Sequence, residues 1–436
     1  MDILDDPSFT VPQVSPGSAG IAWLRSHVVR FSEGSDHERR RRITIRLLDA
    51  VPPENLRRPG HPVASLAAAL GLPRQVARDV EVVAVSYQPH ERITPEADAA
   101  VARLVATVGG QWDEETAAVI GLLVQACAAT RSAIRGGHPP VPHTRRAAPS
   151  GHEVLVDLAD APFGAGRHAC PGETHAAAML AGASRFKGLH HADEPLLLPN
   201  AWDFASAAAL VQQGHQAIGT TSLGVAAAHG LPDAAAATSA ETLTLARSLV
   251  RLPVPVTVDV EAGWGLDPAE LATELTIIGV AGINIEDGRG DHLESIDDQC
   301  ERISAVKAAA PELFVNARID TYWLQISPES TLRRATAYVD AGADGVFVPG
   351  LRDEPLIESL VGALGDIPLN LLAQLPLRRL RDLGVRRVST GSLLFRTAIT
   401  QALAAVEGYR TGADVPAAMP YDQVEQTRTQ ALAAKW

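Results

Sequence analysis

Asp259 and Glu261 stand at the carboxyl end of a β-branched apolar run, in the stretch Val256-Thr-Val-Asp-Val-Glu-Ala-Gly-Trp-Gly265. Alternate positions on a strand share a side, so both carboxylates project from the same face. Acids at the end of a buried strand cost free energy unless a cation holds them. Mg2+ suits such a place, because it takes hard oxygen ligands and is usually held by one or two carboxylates. Other polar clusters recur along the same half of the chain: Asn200-Ala-Trp202-Asp203, Thr220-Thr221-Ser222, Glu286-Asp287, Asn316 with Arg318 and Asp320, and Asn370. Carboxylates at two strand ends with an arginine at the next suit a bound carboxylic acid, gripped by a cation and a planar guanidinium. A purely structural network, with Arg318 bridging Asp259 or Glu286, is the alternative.

The elements that must position these groups follow a regular rhythm. Apolar strand-like runs occur at 196–199, 217–221, 256–260, 282–285, 314–317, 345–348, 368–372 and 387–390. Helical runs at 204–213, 241–249, 268–278, 296–309, 330–341, 354–364, 377–383 and 393–407 alternate with them. That alternation predicts an α/β fold, a (β/α)8 TIM-type barrel of parallel strands. In such a barrel chemistry lies at the carboxyl ends of the strands, where the polar clusters fall.

Ahead of the barrel, up to about Gly137, the chain reads as mainly α-helical. Helices are expected at 21–31, 36–48, 64–70, 95–108 and 116–134, the last apolar and central to its domain. Residues 136–151 are rich in Gly, Pro and Arg and read as loop. The chain of 436 residues is too long for one ordinary core, which predicts domains at 1–187 and 188–412 with a tail at 413–436.

Composition narrows the function classes. Hydrophobic residues make up 46% and charged residues 20%, an ordinary globular balance. A net charge of −13 argues against a general nucleic-acid surface. The acidic start at residues 1–6 does not read as a signal peptide, and no apolar run approaches the ~20 residues that span a bilayer. Cys127, Cys170 and Cys300 are too scattered for a disulfide framework, so a reducing cytoplasm is expected.

Pro199-Asn-Ala-Trp-Asp203, Gly230-Leu-Pro-Asp233, Asp259-Val-Glu-Ala-Gly-Trp-Gly265, Asn284-Ile-Glu-Asp-Gly288 and Asn316-Ala-Arg-Ile-Asp320 appear in that order. Together they resemble the isocitrate lyase / phosphoenolpyruvate mutase superfamily over about 194–412. The resemblance implies that Asp259 is the principal Mg2+ carboxylate, with Glu261 and Glu286 holding the metal partly through water. It implies that Arg318 and Thr220, Thr221 and Ser222 grip the substrate carboxylate, with Trp202, Asp203 and Asn370 around it. Asp233 matches the aspartate that faces the reacting group; a plain turn residue after Pro232 is the alternative. The implied chemistry cleaves or rearranges a C–C or P–C bond in a small 2-oxo or 2-hydroxy acid, leaving enolate charge to be stabilised. The chain departs from the lyases after the Glu-Asp pair. Gly288-Arg-Gly-Asp-His-Leu293 holds no cysteine, so His292 stands as a substitute acid or as a solvated loop histidine. Relatives associate through their last helices, which makes a homo-oligomer expected, with the tail 415–436 in reach of such an interface.

Upstream, Ala161-Pro-Phe-Gly-Ala-Gly-Arg-His-Ala-Cys-Pro-Gly172 resembles the cysteine-ligand loop of the cytochrome P-450 (haem-thiolate monooxygenase) family. His37 and Arg41 match the pair that meets the haem propionates there. The resemblance implies a truncated P-450-like domain with haem on Cys170. The family's Glu-x-x-Arg pair reads Ser132-Ala-Ile-Arg135 here. A haem protein through Cys170, or a retired binding or scaffolding protein, are therefore the alternatives to a Mg2+-dependent lyase or mutase.

Overall fold

The structure, a computed structural model, describes residues 3–434. The chain forms two compact units, one ending at Ala183 and the other beginning at Ser184. The division falls within the helix Glu173–Leu189. The tail from 413 belongs to the second unit.

The first unit is built around the helix Glu114–Ile134. Asp113 starts it by accepting the Thr116 amide, and Ile120, Leu123, Val124 and Cys127 are buried along it. Gly20–His27, Gly34–Asp49, Pro62–Ala69, Val76–Val85 and Pro95–Val108 pack against it. By length and composition alone this helix is apolar enough to cross a membrane, more so than the sequence suggested; in the fold it is the centre of a helical unit. Val76–Val85 was not expected. Nor was the antiparallel hairpin of His143–Ala147 and Glu153–Asp157, which occupies part of the expected loop. Its strands carry Arg145, Arg146, Glu153 and Asp157, and that polarity hides the strand signal.

The second unit carries a nine-segment sheet, all of whose ladders are parallel. Its two outer segments, Leu196–Leu198 and Asn200–Ala201, are halves of one strand, β1, interrupted at Pro199, which has no N–H to donate. The remaining strands are β2 (Ile218–Thr220), β3 (Val256–Asp259), β4 (Gly282–Glu286), β5 (Phe314–Arg318), β6 (Gly345–Phe347), β7 (Leu369–Leu372) and β8 (Arg387–Ser389). The first half of β1 pairs with β8 and the second half with β2, which joins the sheet into a barrel. Buried Val258, Ile283, Val315, Val346 and Leu369 share one core with Leu249, Leu275, Ile303, Tyr338 and Leu360 of the helices. Each such large apolar side chain contributes about 1.5–3 kcal/mol by leaving water.

The barrel interior is less apolar than is usual for this architecture. Asn316 Nδ2 donates to Asn284 Oδ1 at 2.8 Å, and Ser389 Oγ donates to Asn370 Oδ1 at 3.1 Å. Arg387, fully buried on β8, donates from Nε to Ser389 and from Nη2 to Asn284 Oδ1 at 3.2 Å. β8 neighbours β7 and β1, whereas Asn284 lies on β4, so the Arg387 side chain reaches across the barrel.

At the C-terminal side, Leu393–Thr411 leaves Leu403, Val406 and Tyr409 exposed. The helix Tyr421–Ala433 folds back onto Phe204–Gln212, where Gln212 Nε2 donates to Thr427 O and Gln430 Oε1. Residues 1, 2, 435 and 436, at the ends of the acidic start and of the tail singled out above, lie outside the described residues.

Candidate active site

Three adjacent strands end in charge. Asp259 closes β3, Glu286 closes β4 and Arg318 closes β5. Glu286 and Arg318 are register partners, and Arg318 Nη1 meets Glu286 Oε2 at 2.5 Å. Arg318 Nε also donates to Asp320 Oδ1 at 2.7 Å. The Trp323 ring, largely exposed, lies 5.8 Å from the guanidinium carbon. Gly288 makes room for this arrangement, because a Cβ there would come within 2.5 Å of Asp320 Oδ2.

The cluster holds more negative than positive charge in a water-poor place. Burial pushes the Asp259 and Glu286 carboxyls above their usual range; the Arg318 charge pulls the other way, and neighbouring acids add to the rise. For Asp259 those neighbours are Asp233, on an exposed loop, and Glu261. Burial works against the Arg318 cation, but Asp320, Glu286 and Asp259 hold it charged.

The other residues singled out by the sequence divide into those at the strand ends and those spent elsewhere. Thr220 is buried at the end of β2, where its Oγ1 accepts the Asp259 amide at 2.9 Å. Thr221 and Ser222 begin the short helix Ser222–Ala228. Trp202 packs edge-on against Phe395 with ring centroids 5.3 Å apart. Asp203 caps the helix Phe204–Gln212 by accepting the Ser206 amide at 2.7 Å, the work of an N-cap. Asn370 is buried in the barrel, its Nδ2 lacking a partner among the described residues. His292 is exposed on a hairpin of Gly288–Arg289 and His292–Leu293, where Nδ1 meets Asp291. Asp287, beside Glu286 in sequence, accepts from Tyr338 Oη at 2.7 Å, Arg334 Nη1 at 2.9 Å and the Asp320 amide at 2.9 Å.

Glu261 is buried, but both its oxygens are taken: Oε2 by the Ala236 amide at 2.9 Å and Oε1 by the Thr238 hydroxyl at 2.8 Å. Among the described residues no three His, Cys, Asp or Glu side chains form a ready-made metal cage. The donors still fit Mg2+, which keeps several waters and takes only one or two carboxylates. Asp259 and Glu286 are the candidates for those two, because their surplus negative charge is what a cation would offset.

Arg387 escaped the sequence reading. Its signal was an arginine inside a strand-like run, Arg386-Arg387-Val-Ser389, where one of two adjacent arginines must face the barrel.

In the first unit the P-450-like residues are committed to local contacts. Arg41 Nη1 donates to Ala169 O, and the His37 ring lies 4.3 Å from that of His168. Arg167 and His168 are both tied to Glu33. Cys170 is exposed, with the Gly172 amide 3.4 Å from its sulfur. Arg41 and His37 are thus turned to the protein itself, and this set does not fit a haem held by Cys170 between propionate-binding side chains.

A sequence profile of the phosphoenolpyruvate phosphomutase family matches residues 186–410. The chain belongs to this family. A protein of Mycobacterium tuberculosis (strain ATCC 25618 / H37Rv), described as uncharacterized, is 41% identical over 244 residues, covering 55% of this chain and 94% of its own. A 2-methylisocitrate lyase from Bacillus subtilis (strain 168) is 34% identical over 205 residues, 44% of this chain and 67% of its own. Among solved structures, a phosphonopyruvate hydrolase in complex with oxalate and Mg2+ superposes with a TM-score of 0.51 at 21% identity, covering 57% of this chain and 95% of that one. At that identity the likeness shows the barrel fold alone. The family match begins at residue 186, so residues 1–185, with the P-450-like loop, lie outside it.

Proposed function

We propose that the barrel cleaves or rearranges a C–C or P–C bond in a small 2-oxo or 2-hydroxy carboxylic acid, with Mg2+ bound between Asp259 and Glu286. The observation that carries this reading is Arg318, a buried cation held between Glu286 and Asp320 at adjoining strand ends. A guanidinium fixed in that way keeps a preset fork for an incoming carboxylate. Bound Mg2+ would supply Lewis-acid polarisation of the substrate oxygens.

The chain's own residues do the rest. Arg318 orients the carboxylate, and the Trp323 ring stacks beside its guanidinium. Thr220 fixes the Asp259 backbone, so the carboxylate is positioned before substrate arrives. Asp233, on its loop, brings a second carboxylate toward Asp259 and is the candidate to move a proton at the reacting carbon. His292, exposed and paired with Asp291, is the less suited of the two as an acid. The names of relatives, 2-methylisocitrate lyase in Bacillus subtilis and phosphoenolpyruvate phosphomutase in Streptomyces hygroscopicus, support the substrate class, as does the relative solved with oxalate and Mg2+.

The test is a coupled assay for pyruvate, glyoxylate or oxalate released from a panel of 2-hydroxy acids, oxaloacetate and phosphonopyruvate. Turnover that requires Mg2+, stops with EDTA and is lost in Asp259→Ala is the expected result. Turnover that persists in Asp259→Ala would remove the metal role.

A further inference from the structure

Two alanines in the loop that carries Asp233 hold a backbone conformation that side chains avoid: Ala234 at φ 55° and Ala236 at φ 56°. Each residue in this left-handed region costs of order 1 kcal/mol, so something must hold the loop there. Neither position is glycine, which would adopt the same angle without strain.

The only carboxylate whose bonds to this loop are seen among the described residues is Glu261. Its Oε2 accepts the Ala236 amide at 2.9 Å, and its Oε1 accepts the Thr238 hydroxyl at 2.8 Å. Glu261 is 3% exposed and itself sits at φ 49°, so its backbone too is bent to aim the carboxylate at the loop. Hydrogen bonds to a buried carboxylate are the strong kind, shorter and about twice as strong as neutral ones. Thr238 also stands immediately before the helix Ser239–Leu249, so the same contact fixes where the loop ends.

We propose that Glu261 is a positioning residue that fastens the Asp233 loop over the mouth of the barrel, and is not a direct ligand of the metal. This rests on the site reading above and deepens it. The strand that ends in Asp259 turns, two residues later, into the clamp for the loop bearing the second acid. The metal carboxylate and the proton-moving carboxylate are thereby set relative to each other through one short stretch of backbone.

The experiment is hydrogen exchange of residues 234–238 in the full chain, alongside calorimetric Mg2+ titration and steady-state kinetics. Glu261→Gln, which cannot accept from both donors, is expected to speed exchange at Ala236 roughly tenfold or more, the loss of about one charge-assisted bond. It is expected to lower kcat with less effect on KM, and to weaken Mg2+ far less than Asp259→Asn does. Thr238→Val removes one donor away from the metal carboxylates and should loosen the loop in the same direction; Thr238→Ser keeps the hydroxyl and should restore protection. Unchanged exchange in both Glu261→Gln and Thr238→Val would overturn the proposal. So would Glu261→Gln losing Mg2+ as completely as Asp259→Asn while the loop stays protected. If the wild type binds no Mg2+, the site reading fails, but the exchange result still decides the role of Glu261.

Discussion

Arg318 Nη1 lies 2.5 Å from Glu286 Oε2, and the two residues are register partners on β5 and β4. Backbone pairing, and not only side-chain attraction, therefore sets their separation. The pair is nearly out of water, with side chains 13% and 8% exposed. Breaking such a pair from one side leaves an uncompensated charge, which costs about 3–5 kcal/mol. Arg318→Met is expected to lose at least that order of stability in denaturant unfolding and to abolish turnover. Arg318→Lys keeps the charge but loses the fork, so it should recover most of the stability and little of the substrate affinity. Full activity in Arg318→Lys would show that the fork is not used.

Metal binding gives a separate prediction. Mg2+ bound at the proposed Asp259–Glu286 site would stabilise the folded chain by mass action, so saturating Mg2+ should raise Tm in a concentration-dependent way. Asp259→Asn is expected to erase that increment while leaving the Tm without metal unchanged or higher, because one charge leaves a crowded acidic cluster. A drop in metal-free Tm would argue that Asp259 is held mainly by the protein.

Sequence reasoning reached the barrel because each strand is a short apolar run with a polar group at its carboxyl end, as in Val256–Asp259 and Phe314–Arg318. All eight strands and the long helices between them lie within a residue or two of the expected positions; only the last helix departs further, running to Thr411 where 407 was expected. It placed Asp259, Glu286 and Arg318 at strand ends for the same reason. It missed what depends on where a side chain turns. Glu261 shares a side with Asp259 by strand alternation, but the strand ends at Asp259 and the left-handed Glu261 sends its carboxylate to the Asp233 loop. Asp203 read as a site residue and serves as a helix cap. The hairpin His143–Ala147 with Glu153–Asp157 stayed hidden because its strands are charged and, among the described residues, pair only with each other and with Thr10.

Asp287 follows Glu286 directly, yet strand alternation turns it away from the site and into the layer between strands and helices. There it is fully buried and accepts from Tyr338, Arg334 and the Asp320 amide. Arg334 is 8% exposed, and Asp287 is the only carboxylate paired with it among the described residues. Asp287→Asn is expected to destabilise the chain by about 3–5 kcal/mol through the stranded arginine, with kcat of the remaining folded protein altered much less. Equal stability by chemical denaturation would refute this account of the network. A large loss of kcat at full stability would move Asp287 into the chemistry.

Acid stability should carry the signature of His190. Its ring is stacked on Phe314 at 4.3 Å and meets Phe186 edge-on, and Nδ1 donates to Phe186 O at 2.8 Å. Nε2 is buried with no partner among the described residues, so a second proton there would meet no acceptor among them. Burial pushes the imidazole down to about 3, and the Arg387 charge adds to the fall. The folded value thus lies below the ordinary value of about 6.5 that applies to the unfolded chain. Above pH ~6.5 both states are neutral at this ring and it contributes no pH dependence. As pH falls from there toward 3, the unfolded chain takes up a proton that the folded chain refuses, so stability declines by up to about 1.4 kcal/mol per pH unit. His190→Phe, which keeps an aromatic ring in the stack and cannot titrate, should flatten the fall of Tm between pH 6.5 and 4 relative to wild type. Superimposable Tm–pH curves for the two proteins would show that His190 does not set the acid limit.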